Sequence, residues 1–222
     1  MSLFKQQLFR EILLQIRQPH LVVNTCLFFL MILVFFPLTM SPDADLLRKV
    51  APGLVWISIL LSMFLSAERM FQQDYDDGVI EQWLVSGNPI SIFVGAKITI
   101  YWFVNLIPIL LFCPFLAILF ALDQHETWIL IISLVLGTPA ILAICTLAAA
   151  FSTNIKHKGL LMPLILLPLT IPIMIFGSSI LTLTMQNIPS QGYLALLFAI
   201  SILSLTLLPF AAAGVIRVVL VD

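Results

Sequence analysis

The residues of this chain best equipped for chemistry lie in one short run, where Glu68, Arg69, Phe71, Asp74, Tyr75, Asp76, Asp77, Gly78, Glu81 and Trp83 follow closely on one another. Drawn as a helix, Phe71, Tyr75, Val79 and Trp83 advance by about 40° per step on one side, while Asp74, Asp77 and Glu81 gather on the other. A helix with one aromatic and one acidic face can lay anchors in a partner's groove while its carboxylates meet Arg or Lys at the rim. Gly78, coming after Asp76 and Asp77, also permits a bent elbow of two short helices, with Glu81 at the third position of the second. The alternative is a solvated amphipathic helix with no partner.

Other kinds of chemistry find no seat. The Gly95-Ala96-Lys97 sequence lacks both the upstream glycine and the following Ser or Thr of a phosphate-binding loop, so nucleotide binding of that kind is not expected. His20, His125 and His157 have no second ligand at a metal-binding spacing and no nucleophile beside them, so neither catalysis nor a metal site is expected. His125 and Trp128 share a short turn, where an imidazole and an indole could meet a haem face, but a wet interfacial histidine beside a belt tryptophan is the preferred reading of the same residues. Cys26, Cys113 and Cys145 are odd in number and fall in apolar sequence, which fits small core fillers and no disulfide framework.

The elements that must position these residues are set by composition. With 61% hydrophobic and 9% charged residues the chain is far outside the soluble range. Charge-free apolar runs mark spans, because a spanning helix needs roughly 20 apolar residues and a central charge costs about 2.5–3.5 kcal/mol. Spans are predicted at about 21–41, 50–67, 98–122, 127–153, 159–185 and 193–216. The last two come from one run too long for a single crossing, folded back at Gln186 to Gly192, where amides, a proline and a glycine collect. Residues 68–97 then form the one large polar segment, the elbow.

With six crossings both termini share a side. If that side is cytoplasmic, Lys5, Arg10, Arg17, Arg69, Lys97, Lys156, Lys158 and Arg217 lie inside, against Arg48 and Lys49 in an outside loop. The net charge of −1 averages over loops of different character, and no basic footprint for nucleic acid is present. Residues 1–20 are expected as a retained interfacial helix, with Phe4, Leu8, Ile12 and Ile16 toward lipid and Gln6, Arg10 and Arg17 opposite; an ordinary basic flank is the alternative. Pro163, Pro168 and Pro172 leave 173–192 open to a kinked span or a re-entrant piece. Asn24, Asn105 and Thr138 are expected to bond neighbouring helices.

The elbow also carries a resemblance. Ala51 to Trp56, Leu60 to Ser62, Glu68, Arg69, Phe71, Asp74 and Asp77 to Gln82 are similar to CcmB, the permease-like family of cytochrome c maturation. Phe36 to Leu38, Ala96-Lys97, Leu136 to Pro139, Leu167 to Pro172, Gly192 to Ala195 and Pro209 to Ala213 keep that family's order, so the similarity covers nearly the whole chain. The resemblance implies an all-α, six-helix membrane subunit of the type-two ABC exporter permease kind, in the bacterial inner membrane. It implies the cytoplasmic ATPase CcmA, the membrane proteins CcmC and CcmD and the periplasmic haem chaperone CcmE as partners, together the CcmABCD system and its acceptor. ATP would sit on the ATPase and haem would be handled by the complex, with no cofactor on this non-catalytic chain. Carried over by position, Glu68, Arg69, Phe71, Asp74, Asp77, Gly78, Glu81 and Trp83 would form the ATPase-coupling elbow. Tyr75 and Asp76 make the acidic cluster denser than the family motif. The tryptophan-rich haem-handling signature of CcmC is missing, since Trp56, Trp83, Trp102 and Trp128 are scattered. A pair of permease-like subunits is the expectation by analogy of fold. Other readings are a type-two permease for lipid, polysaccharide or drug, and a non-transporting scaffold.

Overall fold

The structure, a computed structural model, describes residues 3–40, 43–152 and 158–221, and in them nine helices and no strand. They are α1 (Leu3–Arg17), α2 (Pro19–Thr39), α3 (Ala44–Glu68), α4 (Gln72–Asp76), α5 (Val79–Val85), α6 (Ile90–Leu119), α7 (Gln124–Ser152), α8 (Lys158–Met185) and α9 (Gln191–Val221). Lys156 and His157, placed by the sequence in an inside loop, lie outside the described residues.

Local chemistry sets the boundaries. Pro19 opens α2 in the first turn, where its missing N–H costs nothing. The Asp43 side chain caps α3 by accepting from the Asp45 amide. Gly78, at φ +68°, separates α4 from α5 in a left-handed conformation that a side chain would strain. Asn187, at φ +57°, serves the turn between α8 and α9.

Six helices among the described residues, α2, α3, α6, α7, α8 and α9, are long and apolar enough to cross a membrane. This is the all-α, multi-pass class expected from composition. Two starts differ from the sequence reading. Helix α3 begins at Ala44, so Arg48 and Lys49 sit on its first turns and not in a loop. Helix α6 begins at Ile90, which puts Lys97 two turns inside it. Charge-free runs mark only the apolar part of a helix, and both helices continue into the charged sequence beside it. Helix α8 runs without a break through Pro168 and Pro172 to Met185, so 173–185 is continuous helix. The hydroxyls of Thr170, Thr182 and Thr184 bond back to the carbonyls of Leu166, Ser178 and Ile180, which satisfies them inside the helix.

Helix α7 is the core and packs against α3, α6, α8 and α9. Gly137, Ala140, Ala143, Ala148, Ala149 and Ala150 let its neighbours approach closely, which is how helices associate where lipid gives no hydrophobic drive. Polar bonds fix the register: Trp102 Nε1 donates to Thr138 Oγ1 at 2.9 Å, Asn105 Nδ2 to Ser66 Oγ at 3.0 Å, and Ser201 Oγ to the Leu136 carbonyl. Asn105 and Thr138 thus do what the sequence led one to expect, whereas Asn24 lies exposed on α2. Trp56 of α3 is fully buried between two glycines. A Cβ at Gly137 would lie 2.5 Å from its ring, and one at Gly177 only 2.3 Å from it. Its Nε1 is the one buried side-chain nitrogen or oxygen without a hydrogen-bond partner among the described residues.

Candidate functional site

The elbow joins α3 to α6 at the end of the bundle where α1 also lies. The sequence alternatives resolve to two short helices, α4 and α5, hinged at Gly78. The aromatic face does not point to solvent as the single-helix drawing has it. Phe71 is buried against Phe93 of α6, ring centres 6.5 Å apart, and Trp83 rests on the same ring at 5.7 Å. Burying these rings on their own chain removes more apolar surface from water than holding them out would, and it pins both arms of the elbow to one residue.

Asp74 is likewise turned inward, away from Asp77 and Glu81. Its carboxylate meets Lys97 Nζ at 2.5 Å and accepts from Arg10 Nη2. Lys97 also donates to Glu11 Oε2 at 3.0 Å, and Glu11 Oε1 accepts from Gln7 Nε2 at 3.0 Å and Arg10 Nη1 at 3.1 Å. The side chains of Lys97, Asp74 and Glu11 are only 3%, 4% and 1% exposed. Two cations and two carboxylates balance, and every carboxylate oxygen has a donor, which is the condition for holding charge out of water. Lys97 further lies 5.3 Å from the Phe93 ring centre and 5.8 Å from that of Tyr101. Phe93, Lys97 and Tyr101, four apart, form one face of α6.

The N-terminal helix is inside-out. Gln7 and Glu11 face the protein, while Phe9, Ile12, Leu13 and Ile16 stand exposed, as a helix lying along lipid would have them. Sequence reasoning missed Glu11 and Gln7. The signal was there in Gln7, Glu11 and Gln15, a polar stripe at four-residue spacing in an apolar helix.

What the elbow offers outward is polar apart from Val85, which stands exposed at the end of α5. Glu68, Arg69, Asp76, Asp77 and Glu81 are exposed, as are Gln73 and Gln82. Behind them a cavity of about 490 Å³ opens between α1, α4 and α6, lined among others by Gln15, His20, Arg69, Asp76, Asp77 and Tyr101. The structure therefore divides the sequence-nominated residues in two. Phe71, Asp74 and Trp83 hold the elbow, Gly78 bends it, and Glu68, Arg69, Asp77 and Glu81 are free to meet another molecule.

At the opposite end Arg48 ties α3 to the start of α7 and the turn before it, donating to Glu126 Oε1 at 2.6 Å and to the Ala121 carbonyl at 2.7 Å, with Asp123 3.6 Å away. His125 and Trp128 are exposed there. Cys113 and Cys145 are buried and Cys26 is half-buried, all three free. No group of three or more His, Cys, Asp or Glu capable of holding a metal occurs among the described residues.

Comparison with known proteins gives one consistent result. The model of the CcmB protein family matches residues 2–219. Heme exporter protein B of Pseudomonas aeruginosa is 37% identical over 98% of this chain and 97% of its own length. The protein of the same name from Haemophilus influenzae is 36% identical over 97% and 98%, and that from Escherichia coli 34% over 94% of each.

Proposed function

Because the chain belongs to the CcmB family, we propose that it is the membrane-embedded permease-like subunit of a haem-export complex serving cytochrome c maturation. The match along residues 2–219, with relatives named heme exporter protein B at similar length, carries this reading. The chain sits in the bacterial inner membrane with the elbow end in the cytoplasm, and works with the CcmA ATPase, CcmC, CcmD and the haem chaperone CcmE. It hydrolyses nothing itself. ATP is bound by the partner ATPase, and the work is passed on to haem delivery or to release of the loaded chaperone.

The elbow is where the ATPase docks. Its outward carboxylates, Glu68, Asp77 and Glu81, beside Arg69, present a charged rim of the kind that sets partner choice and association rate. The buried aromatic and ionic base beneath supplies the stiffness a transmitted push needs.

Deleting the gene in its host and staining for covalently bound haem tests the reading: c-type cytochromes should vanish, and their normal level would overturn it. Asp77→Arg or Glu81→Lys, on exposed side chains, should weaken co-purification of the ATPase by about tenfold, the equivalent of 1.4 kcal/mol. Undiminished recovery in both would remove the elbow from the docking surface.

A further inference from the structure

The elbow is tied by side chains to the N-terminal helix as well as to α6. Arg10 reaches Asp74 directly, Lys97 joins Asp74 to Glu11, and at the rim Gln18 Nε2 donates to Gln73 Oε1 at 2.9 Å. Each of these links is made by side chains across a gap that also contains the 490 Å³ cavity. The elbow is thus propped on α1 and, through Gln18, on the junction of α1 and α2 beside an open space, and held to α6 by Lys97 and Phe93.

We propose that α1 is part of the docking unit, with Arg10 and Glu11 acting as positioning residues that, partly through Lys97, fix the orientation in which α4 and α5 meet the ATPase. This deepens the docking role given above and rests on it. The reasoning is electrostatic. Lys97 cannot leave Glu11 or Asp74 without stranding a buried charge, so the two carboxylates, one on α1 and one on α4, must keep station about a common cation. Any displacement of α4 by a docked motor is then passed to α1, whose apolar side lies outward. A buried side chain of α1, Glu11, would thereby set how the motor binds.

The test uses the full chain in nanodiscs, alone and with its purified ATPase. Glu11→Gln keeps the shape of the side chain and removes its charge. In the chain alone, amide hydrogen exchange of residues 70–77 should speed up by about tenfold or more, while α7 is unchanged. With the ATPase, the same variant should weaken binding about five- to tenfold, although Glu11 is too buried to touch it. Arg10→Gln, on a side chain one-third exposed, should loosen the same residues and keeps the experiment decisive if Glu11→Gln also disturbs α7. Unchanged exchange at 70–77 in both variants would overturn the inference whatever the motor does. Undiminished ATPase affinity in both, with Glu81→Lys weakening it, would also overturn the inference and leave the docking role standing. Wild-type affinity in all three would instead sink the docking role itself.

Discussion

Glu11 accepts from three donors, and Lys97 is shared by two carboxylates, so the cost of losing one member falls on those that remain. Lys97→Met should destabilise the chain by about 3–5 kcal/mol, because two acids are left buried with Arg10 as their one cation. The triple variant Glu11→Gln, Asp74→Asn and Lys97→Met should recover most of that loss, since the only charge left is that of Arg10, whose side chain is one-third exposed and can be hydrated. Thermal unfolding in detergent compares the three proteins, and a triple variant no more stable than the single one would refute the account. At this scale the sequence was half legible. The density of acids marked the elbow, while the polar stripe of Gln7, Glu11 and Gln15 stood in the sequence unread. That Asp74 faces inward and Asp77 outward was not legible, because both lie on the same acidic side of an idealised helix. What separates them is a lysine on α6 and an arginine on α1, distant in sequence.

Among the elements, the elbow depends on Gly78. Its left-handed backbone lets α5 leave α4 at an angle that brings Trp83 back onto Phe93. Gly78→Ala should strain this bend by about 1–2 kcal/mol, whereas Gly78→Asn should cost less, because asparagine visits that region more readily. ATPase recovered on the two variants measures the difference, and equal recovery would mean that the bend is not what the partner reads. The spans were legible because lipid leaves helices little choice. Their starts were not, since α3 and α6 run on into charged sequence. Each such stem is held by an ion set at its own end of the bundle, Arg48 with Glu126 at one and Lys97 with its acids at the other. A hydropathy reading takes these charges for loop.

For the whole molecule, the two ion sets lie at opposite ends of a six-helix bundle, which makes sidedness measurable. Cysteines placed at Asp76 or Glu81 should react with an impermeant thiol reagent only from the cytoplasmic side. Those at Asp123 or Asn187 should react only from the other side, and the reverse pattern would put the elbow out of an ATPase's reach. Between the ends, α3, α7 and α8 are keyed together by Trp56 and its two glycines. Because an indole and any side chain at 177 would claim the same space, the two positions form a size-exchange pair. Across the family, a chain that carries alanine or serine at the place of Gly177 should have given up its tryptophan at the place of Trp56, and a lineage that kept both would have to spread the helices apart.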